Sequence, residues 1–263
     1  MYSYLDKAWS LCPSLNQNRG SHGAIGIGIS LYVIGGGGFD SNLATCERLN
    51  VQENEWKYIQ PATIYRHALL LVSIETLLDS TSEKSSYIYA IGGWIDGQLC
   101  SADVERYSVQ SDTWTKCASM NVPRRLLGGC AYNEKVYTFG GNCDDGIWYT
   151  AAVESYDPIS DCWIRLADMP VVGPTSAAPV GDYIYVFAHG KRVYRYSPSS
   201  DTYEALVELP MSEWFTFDVT YYGTHSFTSS YTHTTTTHNG IYIYLYTYTY
   251  RAIYMAARRG GEG

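Results

Sequence analysis

Gly-Gly doublets close three β-type runs, "LYVIGG" (Leu31 to Gly36), "IYAIGG" (Ile88 to Gly93) and "VYTFGG" (Val136 to Gly141), and "IYVFAHG" (Ile184 to Gly190) is a weakened fourth copy. After each comes a second β-type run ending at Leu49, Tyr107, Tyr156 or Tyr196, and seven residues later an aromatic: Trp56, Trp114, Trp163 or Tyr203. Tyr2 to Trp9 is a fifth instance of that interval. Such a period constrains the fold strongly, because each short unit can bury its apolar face only by stacking on its neighbours.

Ten residues past the aromatic stands Arg19, Arg66 or Arg124, and the same position becomes Gly173 and then Glu213. Each arginine is followed by a run of small and apolar residues: "HGAIGIGIS", "HALLLVSIE" and "LLGGCAYN". A unit therefore reads as four short strands: the inner run (A), the run into Gly-Gly (B), the "VERY"-like run (C) and the tryptophan strand (D). No unit has an apolar 3.6-residue period long enough for a helix. The expectation is an all-β fold of four-stranded blades, the signature of a β-propeller.

The repeated residues read as architecture. Gly35-Gly36, Gly92-Gly93 and Gly140-Gly141 allow a tight exit from strand B. Tyr107, Tyr156, Trp56, Trp114 and Trp163 supply apolar area between blades while keeping one polar atom for a partner. Arg19, Arg66 and Arg124 are expected to hydrogen-bond blade backbone. The A-to-B connection of the second unit carries a polar insertion, "TLLDSTSEKSS" (Thr76 to Ser86), read as a solvated loop.

Together, Gly-Gly after strand B, "VERY" or "VESYDP", the tryptophan seven residues on, Met120 or Met169, and Arg124 resemble the kelch repeat from Tyr2 to about Tyr222. The resemblance implies a kelch-repeat β-propeller over 1–222, with four full repeats and partial blades at both ends. The first would be a C/D half-blade, the last a strand-A start near Phe215 to Tyr222. Propellers of this type usually have six blades, so a truncated propeller is expected. "VERYSVQSDTW" and "VESYDPISDCW" resemble, more specifically, kelch-like proteins carrying BTB and BACK domains, which recruit substrates to cullin-RING ubiquitin ligases through the propeller. Neither domain is among these residues, so the resemblance implies the substrate-recognition half of such an adaptor. The alternative it leaves open is an actin-associated or scaffold kelch protein. Galactose-oxidase-like enzymes also use kelch-type blades, with a copper site of tyrosines and histidines. His22, His67 and His189 do not cluster in the repeat, so neither a catalytic residue nor a metal or other cofactor is expected.

In such blades the B-to-C and D-to-A loops share one face. It would carry the partner-binding candidates Tyr65, Trp94, Asp96, Arg125, Asp144, Asp145, Trp148 and Tyr149, aromatic and charged residues that suit a protein or peptide. Each has a structural alternative: Trp94 and Trp148 could cover neighbouring loops, and Asp144-Asp145 could be a solvated turn.

The formal net charge is −8, and before residue 223 fifteen basic residues face twenty-five acidic ones. That balance argues against nucleic acid as a partner. No apolar run reaches membrane-spanning length and no secretory leader pattern opens the chain. Seven cysteines without a C-x-x-C pair suit free thiols in a reducing compartment, so a cytoplasmic location is expected. From Gly223 the composition changes to alternating Thr/His, Ile/Tyr and Thr/Tyr. A repeated AC dinucleotide encodes Thr-His and a repeated TA encodes Tyr-Ile, so 223–263 reads as translated repetitive DNA, a low-complexity tail that is disordered or non-native.

Overall fold

The computed structural model describes residues 2–3, 8–9, 11–37, 43–76, 85–95, 100–143, 149–188, 192–208 and the short segments 217–219, 235–238, 241–244, 253–255 and 257–259. Strands β1 (Tyr2–Ser3) and β2 (Ala8–Trp9) form a two-stranded hairpin. Four four-stranded sheets follow. Blade 1 is β3 (Gly23–Ile27), β4 (Ser30–Ile34), β5 (Cys46–Asn50) and β6 (Glu55–Ile59). Blade 2 is β7 (Leu70–Thr76), β8 (Ser85–Ile91), β9 (Val104–Ser108) and β10 (Thr113–Cys117). Blade 3 is β11 (Gly128–Tyr132), β12 (Lys135–Phe139), β13 (Val153–Asp157) and β14 (Cys162–Arg165). Blade 4 is β15 (Thr175–Val180), β16 (Tyr183–Ala188), β17 (Arg192–Ser197) and β18 (Thr202–Glu208). Within each sheet the strands pair in chain order, giving the A-B-C-D blade read from the repeat. Beyond them, β19 (Phe217–Val219) pairs in parallel with β22 (Ile253–Met255). Strands β20 (Thr235–His238), β21 (Ile241–Tyr244) and β23 (Ala257–Arg259) form a three-stranded sheet. Most of the Thr76 to Ser86 insertion, His189, and the boundary at residue 222 lie outside the described residues.

The invariant seven-residue interval is a pairing register. Tyr2 faces Trp9, Leu49 faces Trp56, Tyr107 faces Trp114 and Tyr196 faces Tyr203 across C–D hairpins. Moving either residue by one would turn its side chain to the other face of the sheet, which is why the spacing does not drift.

The Gly-Gly doublets explain themselves in the same way. Gly35 and Gly36 have φ of 64° and 107°, and Gly92 and Gly93 repeat this at 60° and 106°. A Cβ on Gly35 would sit 2.5 Å from the Arg66 carbonyl oxygen, and one on Gly92 2.4 Å from that of Arg124. Only a residue without a side chain lets strand B leave the sheet where the next arginine loop passes.

The chain packs as two units, one of residues 1–125, 133–135 and 156–163, the other of 126–132, 136–155 and 164–263. In the first, Tyr32, Ile34, Cys46, Ile88, Ala90 and Tyr107 form one buried cluster between blades 1 and 2. In the second, Phe139, Val153, Ala177, Ile184, Val186 and Tyr196 form the corresponding core.

Candidate protein-interaction face

Arg19 and Arg66 of the repeat are spent inside their blades. Arg19 Nη1 donates to the Gly35 and Thr45 carbonyls at 2.7 and 2.8 Å, and Arg66 Nη1 to those of Gly92 and Asp103 at 3.1 and 2.8 Å. The second guanidinium nitrogen meets a strand-C glutamate: Arg19 with Glu47 at 2.7 Å, Arg66 with Glu105 at 2.8 Å. All four side chains are buried, and Arg124 and Glu154 are buried as well. These glutamates stand two residues before Leu49, Tyr107 and Tyr156. That regularity was available in the sequence, yet the sequence reading gave them no role.

A second set of bonds ties each blade to the one before it. Trp56 Nε1 donates to the Pro13 carbonyl, Trp114 Nε1 to Gln60 and Trp163 Nε1 to Ala118, at 2.9, 2.8 and 2.9 Å. Tyr203 does the same with its hydroxyl to Ala167 at 3.2 Å. The acceptor always stands four residues past the preceding motif aromatic. Its neighbour in this latch is an aspartate at the end of the C–D turn. Asp112 Oδ1 accepts the Tyr107 hydroxyl at 2.7 Å and the Gln60 amide at 2.9 Å. Asp161 treats Tyr156 and Ala118 alike, at 2.6 and 2.8 Å, and Asp201 binds Tyr196 and Ala167. Asp112, Asp161 and Asp201 lie at φ of 52°, 50° and 50°, a left-handed turn position that Asp and Asn tolerate better than other side chains. Burial first, and then the bond to the aspartate, push the phenol pKa of Tyr107, Tyr156 and Tyr196 above the usual value.

The remaining candidates stand on the loops between these repeat positions. The residues after Gly-Gly and after the arginine form a two-residue bridge: Gly37 with Gly20, and Trp94 with His67. Trp94 donates to the His67 carbonyl at 2.8 Å and accepts from the His67 amide at 3.1 Å. Arg125, one residue beyond the buried Arg124, places its guanidinium 3.9 Å from the centre of the Trp94 ring. Both side chains are half-buried, and Tyr65, on the same loop as His67, is 62 % exposed. The structure thus brings Trp94 and Arg125 together. Tyr149 is half-buried in the second unit, and its loop neighbour Thr150 donates to the Gly141 carbonyl at 3.0 Å. Asp96, Asp144, Asp145 and Trp148 lie outside the described residues.

Burial, followed by the adjacent Arg19 charge, holds the His22 pKa below the usual histidine value. Its Nδ1 is buried without a partner among the described residues. No group of three or more metal-ligating side chains gathers among the described residues, and no helix there is long and apolar enough to cross a membrane. The cysteines are free: Cys46, Cys100, Cys117, Cys130 and Cys143 are buried, Cys12 and Cys162 exposed. Burial pushes the Cys46 thiol up to about 12, far from the range of a reactive thiolate.

A family profile described as "Kelch motif" matches residues 18–63, 85–121 and 123–170. Kelch-like protein 36 of Bos taurus is 24 % identical over 220 residues, covering 78 % of this chain and 34 % of that protein. Kelch-like protein 15 of Danio rerio is 24 % identical over 182 residues, covering 65 % and 30 %. The chain thus spans about a third of the length of these curated relatives. The solved structure of YjhT superposes with a TM-score of 0.59 at 14 % identity, over 78 % of this chain and 70 % of that one, a likeness of fold alone. The three motif matches fall on the observed blades and their Gly-Gly turns, and by them the chain belongs to the kelch-repeat β-propeller proteins.

Proposed function

We propose that this chain is a non-catalytic protein-recognition module whose B–C and D–A loop face receives a protein or peptide segment. Its finer role is the substrate-recognition part of a kelch-like adaptor of a cullin-RING ubiquitin ligase. One observation carries the reading: Arg19, Arg66 and the repeat tryptophans and tyrosines are engaged by bonds within and between blades, whereas Tyr65, Trp94 and Arg125 stand on loops pinned by backbone bonds. Rigid aromatic and arginine side chains at low entropic cost are what protein hot spots are made of. The matches to Kelch-like proteins 36 and 15 support the adaptor reading. Joining a ligase would depend on BTB and BACK domains, which these residues do not contain. A cytoplasmic location accords with the free cysteines.

A photo-crosslinking residue placed at Tyr65 tests the face, with one at the exposed Glu53 on the C–D turn as the control. The expected outcome is a discrete crosslinked protein from position 65 alone, whose ubiquitination rises when the chain is joined to a BTB-BACK segment. Equal crosslinking from both positions would remove the face. A product that proves to be actin, with co-sedimentation on filaments, would replace the adaptor by a scaffold.

A further inference from the structure

The residue that enters each C–D turn changes its chemistry from blade to blade: Asn50, Ser108, Asp157 and Ser197. Blade 3, with a carboxylate, shows what an anion does there. Asp157 Oδ1 accepts the Ile159 and Ser160 amides at 2.9 and 3.4 Å, and Lys135 Nζ stands 3.1 Å from Oδ2. The Ile159 amide first, and then Lys135, hold the Asp157 carboxyl below its usual pKa.

Blade 4 repeats these surroundings without the anion. Ser197-Pro198 stands for Asp157-Pro158, Ser200-Asp201 for Ser160-Asp161, and Asp182 for Glu134, so blade 3 already carries an anion beside the same acidic neighbours. The cation of blade 4 comes from strand C. Arg195, two residues before Ser197 and so on the same face of β17, covers the Tyr183 ring at 4.3 Å. Tyr183 and Ser197 come one rung beyond the Ile184–Tyr196 pair, which sets the guanidinium beside Ser197. The other strand-C arginines lean the same way. Arg48 Nε donates at 2.9 Å to the hydroxyl of Ser30, which faces Asn50. Arg106 covers at 5.0 Å the ring of Tyr87, which faces Ser108. Arg195 gives one nitrogen to Glu204, and a guanidinium has five N–H donors. Ser197 is half-buried at the start of a turn whose Ser199 and Ser200 are exposed, and its hydroxyl meets that of Ser199 at 3.1 Å. Ser108 instead caps its turn through the Ser111 amide at 3.3 Å, and valine follows it.

We propose that Ser197 is a phosphorylation site, its phosphate taking in blade 4 the place that Asp157 holds permanently in blade 3. Ser197 Oγ attacks the γ-phosphorus of a nucleoside triphosphate held by a proline-directed protein kinase. The Oγ–P bond forms, the bond to the departing nucleoside diphosphate breaks, and the hydroxyl proton passes to the kinase's carboxylate base. The phosphate then accepts the Ser199 and Ser200 amides as Asp157 accepts those of Ile159 and Ser160, and it pairs with Arg195, whose fork of donors suits phosphate oxygens. Modification therefore tightens the β17–β18 hairpin. The loop face and its partner play no part in this.

The test incubates the whole folded chain with a purified proline-directed serine kinase and magnesium ATP, and locates phosphate by peptide mass spectrometry. The expected result is phosphate on Ser197, absent from Ser197→Ala and unchanged in Ser108→Ala. The phosphorylated chain should melt about 2–4 °C above the unmodified one, and Ser197→Asp should move the midpoint the same way. Arg195→Gln should cancel the rise while leaving the phosphate in place. Absence of phosphate from Ser197 of the folded chain overturns the proposal, even where a peptide of residues 192–203 accepts it. So does a phosphate that leaves the midpoint level or lowers it, or a rise that survives Arg195→Gln.

Discussion

Asp112 uses one carboxylate oxygen to hold two things at once, the Tyr107 hydroxyl of its own blade and the Gln60 amide of the blade before. Each is a bond to a charged acceptor, worth about 1.5–3 kcal/mol net, and the residue sits at φ of 52°. Asp112→Ala is therefore expected to destabilise the fold by about 3–5 kcal/mol, from two lost bonds and the left-handed backbone cost. Asp112→Asn keeps an acceptor and the turn preference, so its loss should stay near 1 kcal/mol. Urea unfolding of both variants checks this, and equal losses would discount the shared carboxylate. The sequence exposed one half of this latch and hid the other. Tyr107 and Trp114 stand at a fixed interval because they face each other across a hairpin, a local relation that spacing records. Asp112 looks like any polar turn residue, since the amide it holds is 52 residues away.

At the scale of the element, each strand-B exit and the arginine beside it form one device, and the repeat shows that its parts travel together. Where blade 4 has Gly173 in the arginine position, it also has buried Tyr194 in the place of Glu47 and Glu105. A buried charge without its partner is costly, so losing both members is tolerable where losing one is not. Arg66→Met or Glu105→Leu alone should each cost about 3–5 kcal/mol, and the double variant clearly less than the sum. A double-mutant cycle on chemical denaturation measures the coupling, and strict additivity would mean that the pair does not act as a unit. The double variant will not be neutral, because the Gly92 and Asp103 carbonyls lose the Arg66 donor. The blades themselves were readable from doublets and alternation. The Trp94–Arg125 stack was not, since its members are 31 residues apart and no periodicity links two loops that meet only after the blades have formed.

At the scale of the molecule, repetition turns single effects into sums. Tyr107, Tyr156 and Tyr196 each have a phenol pKa raised by burial and by an aspartate acceptor. A folded-state pKa above the unfolded value, about 10 for tyrosine, means that the fold prefers the neutral phenol. This stability is complete below pH ~10 and is lost as pH rises past it toward the folded values. The urea midpoint is expected to stay level from pH 7 to about 9.5 and then fall steeply. Tyr107→Phe, which has no proton to lose, should lower the midpoint at pH 8 and flatten the fall above pH 10. A slope unchanged by that substitution would assign the alkaline loss elsewhere.

The indole and phenol latches also point one way along the chain. Trp56 finds Pro13, Trp114 finds Gln60, Trp163 finds Ala118 and Tyr203 finds Ala167, acceptors that lie 43, 54, 45 and 36 residues earlier. Each outer strand docks on a carbonyl already synthesised. On a ribosome, a blade emerging from the exit tunnel meets its predecessor waiting to receive it, and assembly can keep pace with translation, blade upon blade, from the amino terminus onward.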